Sequence, residues 1–355
     1  MSDIKTVNLK QNYKTVSLSP FINKSSTFTT FVWIFIAVLP QVVMLFVTKS
    51  FSNLILIASC IAACLLSEFF SFIEKKNVKL SILISCLHGT LIGVFLPAGY
   101  PPVSVFFIVL IVKLLMKYGF RETYSSWLNP VILSVITCWF IGQINFPGFL
   151  VTKDYLAAKN PSLVLIQEGI FPTFRFDEGF TSFFNDSTFS LFGVSIPQGY
   201  ISMLWDTNSV IPAFRFNLLT IIASIFLMAV DVFPVKIPLI FLTVYSVLVK
   251  YLVPVFTGGI AMHGDMLLAL FSSGTLFTAF FMLQWFGTTP LSRKGKIFYG
   301  ILGGVFAFIF SGCGTSPIGS VVTILFLNIT SPIIQYFENK YNRIRISNSL
   351  RNENA

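Results

Sequence analysis

The sequence predicts an all-α polytopic membrane protein with about ten transmembrane helices, arranged as two inverted five-helix repeats. Three observations predict this class: the composition, a series of long apolar segments, and a similarity between the two halves of the chain. Apolar residues make up 55% of the chain and charged residues only 11%, whereas about one quarter of a soluble domain is charged. The composition therefore excludes an ordinary soluble globular domain.

The apolar segments give the predicted helices. A helix needs about 20 apolar residues to cross the hydrocarbon core of a bilayer, and most of the segments approach that length. They span residues 27–47, 51–73, 80–96, 103–116, 129–144, 218–235, 237–255, 266–285, 296–311 and 316–337. The sequence thus predicts five helices on each side of one long polar interval.

The basic residues predict the orientation. The net charge is +10, but the Lys and Arg residues lie between apolar segments, as topology determinants do, and not on a solvated nucleic-acid-binding domain. They concentrate in every second connection, which favours two cytoplasmic termini. The predicted regions are a cytoplasmic N-terminal tail (1–26), membrane repeat 1 (27–144), an extracytoplasmic loop (145–217), membrane repeat 2 (218–337) and a cytoplasmic C-terminal tail (338–355).

The extracytoplasmic loop is long for a simple connection. A loop of this length is either ordered functional structure or a flexible linker. Its aromatic residues favour packing against the membrane surface or a partner; they are Phe171, Phe174, Phe176, Phe180, Phe183 and Phe184.

No self-contained catalytic or metal centre is evident. The chain lacks nucleophile–base, zinc-protease, phosphate-loop and dinucleotide motifs. Its five cysteines lie within or beside apolar segments without zinc-site or disulfide spacing, and we interpret them as small buried apolar residues. We therefore expect no catalytic residues and no metal ligands, and a function that needs partners or a cofactor.

The two halves contain similar motifs. His88-Gly89-Thr90-Leu91 resembles Ser273-Gly274-Thr275-Leu276, and Asn129-Pro130 corresponds to Ser316-Pro317 at nearly the same separation. Because each half has an odd number of predicted spans, the repeats would be inverted, with a substrate or ion path at their interface. Glycines such as Gly89, Gly93 and Gly274 would permit close helix approach or helix interruption there.

Polar residues within the apolar segments are the candidate ion-pathway residues. Ionisable groups in a membrane span are functional candidates by default, and His88 is the deepest; it is either a hydrogen-bonded structural histidine or part of a pathway. Lys113 is nearer a predicted cytoplasmic end, where snorkelling explains it. Asp265, before the eighth segment, is either a helix N-cap or a site residue. The full set of candidates is His88, Asn129, Asp265 and Ser273.

Several ordered motifs resemble the RnfD/NqrB family, and their order is closest to RnfD. The C-terminal part carries Gly264-Asp265, Ser273-Gly274-Thr275, Thr289-Pro290, Tyr299-Gly300 and Asn328-Ile329, and the N-terminal part carries Ser19-Pro20-Phe21-Ile22 and Asn129-Pro130. Each motif is weak alone, but the order and spacing cover nearly the whole chain outside the long loop.

The resemblance implies a fold and a function. It implies two inverted five-helix repeats, similar to urea transporters, in a multi-pass protein of the bacterial inner membrane. It also implies a non-autonomous subunit of a redox-driven ion translocase that couples electron transfer between ferredoxin and NAD to Na⁺ or H⁺ translocation. The expected partners are the other Rnf-type subunits (A, B, C, E and G) and the lipid bilayer, with no nucleic acid. The alternative is a standalone channel or transporter for a small solute on the same fold.

The resemblance also implies FMN, but the attachment motif is absent. Family members link FMN through its phosphate to a Thr in an Asp-x-x-Ser-Gly-Ala-Thr motif of the external loop. Aligned on Gly193, the acceptor position here is Gln198, which has no hydroxyl group to esterify. Thr188 or Thr181 would be the substitute acceptor, and a noncovalent flavin is the other alternative.

Overall fold

The computed structural model describes residues 26–69, 78–119, 127–148, 151–158, 160–193, 195–285 and 287–353. The predicted motif Ser19-Pro20-Phe21-Ile22 lies outside them. Over the described residues the regular structure is helical. The α-helices are α1 Thr27–Val47, α2 Phe51–Phe69, α3 Val78–Val94, α4 Pro102–Gly119, α5 Pro130–Ile141, α6 Lys153–Ala157, α7 Pro161–Gln167, α8 Arg175–Phe184, α9 Tyr200–Trp205, α10 Asn217–Ala229, α11 Lys236–Thr257, α12 Met266–Ser272, α13 Thr275–Phe281, α14 Arg293–Ser311 and α15 Gly319–Glu353.

The predicted all-α membrane class is confirmed. Within the described residues, 6 helices are long and apolar enough to cross a membrane, namely α1, α2, α4, α11, α14 and the segment Gly319–Ile344 of α15. Three shorter apolar helices, α3, α5 and α10, lie among them. The predicted segment 266–285 is not one helix, because it divides into α12 and α13. The chain is thus a multi-pass membrane protein with one interrupted apolar segment.

Local sequence sets where several helices begin. The Asn129 side chain accepts a hydrogen bond from Val131 N at 3.0 Å, and Pro130 occupies the first turn of α5. An Asn cap followed by Pro suits a helix start because Pro lacks the N–H that would otherwise need a partner. The Ser292 hydroxyl caps α14 in the same way, accepting from Gly295 N at 3.0 Å.

Two glycines bring α2 and α3 into close contact. A Cβ atom on Gly93 would lie 2.6 Å from Ile57 Cα, and one on Gly89 would lie 2.6 Å from Ile61 N. Small residues at such positions let helix backbones approach, which is how membrane helices gain packing energy without a hydrophobic driving force. The close approach that these glycines permit is therefore present.

The N-terminal and C-terminal groups of apolar helices share one core. Helix α1 packs against α10, and α5 packs against α15. The rings of Phe95 at the end of α3 and Phe277 in α13 meet edge to face with centroids 5.4 Å apart. The buried contact between the two groups is thus aromatic as well as aliphatic.

The long loop is ordered structure and not a flexible linker. It folds into α6 to α9, whose small core contains Val151, Leu165, Phe171 and Met203 together with Leu268 of α12. The Asp177 carboxylate organises its centre: it accepts hydrogen bonds from Gly199 N at 2.7 Å and Ser202 N at 2.6 Å. We call residues 151–216 the external domain below, after the location that the sequence predicts for this loop.

Candidate functional site

The interruption between α12 and α13 lies in the core of the protein. Gly274 adopts a left-handed conformation with φ of 65°, which glycine reaches without the steric penalty of a side chain. A Cβ atom there would also collide with the ring of Phe214, which belongs to the external domain. The predicted helix interruption at Gly274 is therefore present, and its backbone is packed directly against the loop.

Hydroxyl groups satisfy the backbone groups that the interruption exposes. Ser273 Oγ donates to Ala269 O at 2.6 Å and also contacts Thr275 Oγ1, and both side chains are fully buried. From α11, the Tyr245 hydroxyl also donates to Ala269 O at 3.5 Å. Ser273 thus has a structural hydrogen bond at a place where helix ends would otherwise leave unpaired carbonyl groups.

Asp265 joins the interrupted helix to the external domain. One carboxylate oxygen accepts from Leu268 N at 3.0 Å, which is the N-cap interaction that the sequence offered as one alternative. The other oxygen accepts from Ser162 N at 3.1 Å, from the Ser162 hydroxyl and from the Tyr200 hydroxyl at 3.2 Å. Asp265 is therefore both a cap and an anchor for α7 and α9.

Tyr200 remains a neutral donor to this carboxylate. Burial and the neighbouring Asp265 raise the pKa of Tyr200 to about 12. A second connection is made by Asn217, whose Nδ2 donates to Phe271 O at 2.9 Å and to Met203 O at 3.3 Å. The external domain therefore contacts α12 at its first turn and at the interruption that follows, and Asn217 of α10 bridges the domain to the last turn of α12.

His88 and Lys113 form a buried polar pair. Lys113 Nζ lies 3.0 Å from His88 Nδ1, and the two residues are 4% and 2% exposed. The prediction that Lys113 snorkels towards the cytoplasm is wrong, because its amine turns inward to the histidine. The indole ring of Trp285 lies 5.2 Å from the imidazole centroid. The pair is thus in contact with the segment that follows α13.

Several other buried polar atoms have no hydrogen-bond partner among the described residues. On α3, Ser81, Ser85 and His88 recur at helical spacing on one face. Ser81 Oγ, Ser85 Oγ and His88 Nε2 are buried without a hydrogen-bond partner in the described part of the chain. Among the described residues, Asn129 Nδ2 and both amide atoms of Asn328 are also buried without a hydrogen-bond partner. Buried polar atoms of this kind usually require internal water or an ion.

The four pathway candidates do not form one cluster. Asp265 and Ser273 lie at opposite ends of α12, and His88 contacts the segment after α13 through Trp285. Asn129 caps α5, and no hydrogen bond joins it to the other three among the residues described here. Sequence reasoning missed the inward orientation of Lys113 and the part played by Trp285. Asn328 was part of a sequence motif, but its burial was not predicted because burial depends on tertiary packing.

The two candidate flavin acceptors differ in accessibility. Thr181 is 3% exposed, and its hydroxyl donates to Asp177 Oδ1 at 3.0 Å. Thr188 is exposed in the π-helical turn Asn185–Phe189, with its hydroxyl 3.3 Å from that of Ser187. Thr181 does not fit an ester link, because its hydroxyl is buried and already engaged, whereas Thr188 is accessible to a phosphate.

The chain is similar to known proteins over almost its full length. The model of the NQR2, RnfD, RnfE family matches residues 15–343. The D subunit of the Na(+)-translocating ferredoxin:NAD(+) oxidoreductase complex of Acetobacterium woodii is 24% identical over 333 residues, covering 91% of this chain and 93% of that protein.

Two further relatives are also D subunits of such complexes. The D subunit of the proton-translocating ferredoxin:NAD(+) oxidoreductase complex of Clostridium ljungdahlii is 21% identical and covers 93% of this chain and 96% of its own length. The D subunit of the ion-translocating oxidoreductase complex of Mannheimia succiniciproducens is 25% identical, covering 91% of this chain and 94% of that protein. The match of the family model over residues 15–343 shows that this chain belongs to the NQR2, RnfD, RnfE family.

Proposed function

We propose that this chain is the D-type membrane subunit of an Rnf-type complex that transfers electrons between ferredoxin and NAD and moves Na⁺ or H⁺ across the bacterial inner membrane. The observation that carries the proposal is the match to D-type subunits of such complexes over more than nine tenths of both chains. The subunit is not an enzyme by itself, and the other Rnf-type subunits are its partners.

The proposed architecture is two inverted repeats of five spans, α1–α5 and α10–α15, in which α12 and α13 together form one span, with both termini cytoplasmic. Corresponding helices meet across the centre, since α1 packs on α10 and α5 packs on α15. Cysteine-accessibility mapping tests the arrangement. Single cysteines near residues 49 and 169 are expected to react with impermeant reagents from the external side, and cysteines near residues 78 and 294 from the cytoplasmic side. The opposite labelling pattern would refute this orientation.

The proposed coupling element is the interrupted segment α12–α13. Tyr200 and Phe214 of the external domain contact Asp265 and Gly274 of this segment, and Asn217 of α10 donates to Phe271 O in α12. A redox change can drive ion movement only by favouring one of two conformations of a membrane element. An interrupted helix that is anchored to an external domain at one side and packed near His88 on the other suits that role. The candidate path uses His88, Asn129, Asp265 and Ser273.

For the cofactor, Thr188 fits covalent FMN better than Thr181 does, because its hydroxyl is accessible. A flavin bound there would supply one- and two-electron carrier chemistry. The residues of this chain would contribute attachment and the apolar surroundings of Phe184 and Phe189, whose rings lie 6.4 Å apart. In-gel ultraviolet fluorescence of the denatured protein tests the attachment. A fluorescent band that disappears in Thr188→Ala but persists in Thr181→Ala would identify Thr188 as the substitute acceptor, and no band in the wild-type protein would exclude covalent flavin and leave the noncovalent alternative.

The whole proposal is tested by purification through a tag on this chain. We expect the chain to bring down redox subunits, and the complex to reduce NAD⁺ with electrons from reduced ferredoxin. In inverted membrane vesicles that reaction should drive uptake of Na⁺ or H⁺, and deletion of the chain should abolish both. A chain that purifies alone, colourless, and conducts a small solute in liposomes would instead establish the standalone transporter.

A further inference from the structure

The external domain carries an apolar groove that its own core does not fill. The groove has a volume of about 580 Å³. Its walls are apolar side chains from three helices: Phe176, Phe180 and Phe184 of α8, Ile201, Leu204 and Trp205 of α9, and Leu218 of α10. A groove of this size fits an extended hydrocarbon chain, and typical ligand sites begin at about 300 Å³.

Helix α8 is amphipathic, and its apolar face is exposed. The Asp177 side chain turns into the domain, where it accepts hydrogen bonds from Gly199 N and Ser202 N. On the neighbouring face Phe180 is 52% exposed and Phe183 is 62% exposed, and exposed Glu178 and Ser182 lie on the side away from these rings. Aromatic residues on one face of a short helix with polar residues on the other are typical of a helix that lies in the membrane interface.

The groove continues into the surface that faces the lipid. Leu218 begins a stripe on α10 that continues through Ile222 and Ile225, which are 54% and 58% exposed, while the other side of α10 packs on α1. In a multi-pass protein, an exposed apolar stripe on a span faces hydrocarbon. The groove therefore opens at the end of a lipid-facing stripe, and this continuity identifies its occupant.

We propose that the groove between α8, α9 and α10 binds an acyl chain of an outer-leaflet phospholipid, with the Phe face of α8 lying at the membrane interface. Arg175 in the first turn of α8 is exposed beside this face and would approach the lipid phosphate. The site does not depend on the redox role proposed above, because it requires only that this chain lie in a bilayer in the proposed orientation.

Trp205 makes the site measurable because its ring lies in the groove, 6.1 Å from that of Phe176. The experiment places the full chain, and separately the assembled complex, in nanodiscs of phosphatidylcholine with or without bromine on the acyl chains. The emission difference between wild type and Trp205→Phe isolates the contribution of Trp205. We expect bromine atoms near the headgroup end of the acyl chain to quench that contribution strongly, and bromine atoms near the methyl end to quench it weakly.

Variants distinguish the groove from general proximity to lipid. Leu204→Ser and Phe180→Ser add hydroxyl groups to the groove and are expected to reduce the quenching of Trp205 at least twofold. The matched control Leu191→Ser changes an 80% exposed residue of the same domain that does not line the groove, and its quenching should equal that of wild type. Trp205 emission that is insensitive to bromine in the isolated chain overturns the proposal. So does quenching that is lost on assembly, because a partner protein would then cover the groove.

Discussion

Individual buried side chains connect the helices of the external domain to one another, and Asp177 is the clearest case. It is 3% exposed and accepts hydrogen bonds from Thr181, from the backbone of Gly199 and from both the backbone and the hydroxyl of Ser202. A buried carboxylate is tolerated only when its oxygens are fully paired. The sequence offered no sign of this role, because an Asp in the first turn of an exposed helix is ordinary.

Replacing this carboxylate should loosen the external domain. Asp177→Ala leaves several buried donors unpaired, at a cost of about 1–3 kcal/mol for each unpaired group. We expect faster proteolysis within residues 151–216 and a lower melting temperature of the purified complex. Glu178→Gln is the control, since Glu178 is exposed on the same helix and should behave as wild type. Equal proteolysis of the two variants would contradict the assigned role of Asp177.

The pair of His88 and Lys113 permits a second test at the residue scale. Lys113→Met removes a buried hydrogen bond, worth about 1 kcal/mol, together with the amine that contacts His88. If the pair belongs to the ion path, redox-driven ion uptake should fall on the order of tenfold, while the complex still assembles. Uptake into inverted vesicles, compared with ferredoxin-dependent NAD⁺ reduction in detergent, measures the difference.

Lys117→Met is the matched control for that experiment. Lys117 lies one turn further along α4 and pairs with Glu68 at 3.2 Å, so it is not directed towards His88. Both variants lose one lysine of the same helix. Equal uptake in the two variants, or unchanged uptake in Lys113→Met, would remove the pair from the pathway.

At the scale of one element, the interruption of α12–α13 depends on glycine for two separate reasons. Gly274 has a positive φ, and its missing side chain leaves room for the ring of Phe214. The first reason is a backbone preference that a sequence can indicate. The second is a contact between residues 60 positions apart in the chain, which only the fold creates.

Gly274→Ala should therefore cost more than backbone strain alone. A left-handed alanine costs about 1–2 kcal/mol, and the collision with Phe214 adds to it. Gly169→Ala is the matched control, because Gly169 has a φ of 75° with open space around its Cα. We expect the melting temperature to fall further for Gly274→Ala, and Phe214→Leu to recover part of that additional loss. Identical losses for the two glycines would show that the Phe214 contact has no energetic weight.

For the whole molecule, the external domain is joined to the membrane helices by Arg215, which also forms a buried ion pair within the domain, as well as by Asp265. Arg215 donates to Asp206 through Nε at 2.8 Å and Nη2 at 2.5 Å, and its Nη1 reaches the Ser50 hydroxyl at the turn between α1 and α2. The two side chains are only 6% and 8% exposed. The pair thus links the last part of the external domain to the first helical hairpin.

Breaking this pair should destabilise the molecule more than replacing it does. Removing one partner leaves a buried charge without its counterion, which costs about 3–5 kcal/mol, whereas an apolar replacement of both partners is often close to neutral. We expect Arg215→Met to lower the melting temperature strongly and the double variant Asp206→Leu/Arg215→Met to recover much of it. A double variant no more stable than the single one would contradict this account.

The composition and the apolar segments were sufficient to predict a multi-pass helical protein, because crossing a bilayer imposes a minimum length and excludes charge. The order of short motifs was sufficient to identify the family. Glycines also indicated where helices approach closely or break, since their backbone freedom is a local property. The candidate site residues were chosen by residue type and position in the sequence, and that information could not say which of them have partners.

Only the tertiary structure decided those partners. Lys113 turns towards His88 instead of snorkelling, Thr181 is engaged by Asp177, and Asp265 is shared between a helix cap and the external domain. Each of these outcomes depends on which segments become neighbours. Burial makes an unpaired polar group expensive, so the neighbours determine both the orientation and the role of each polar side chain. The sequence by itself therefore determined that this chain lies in the membrane, and the fold decided how its few polar groups are connected there.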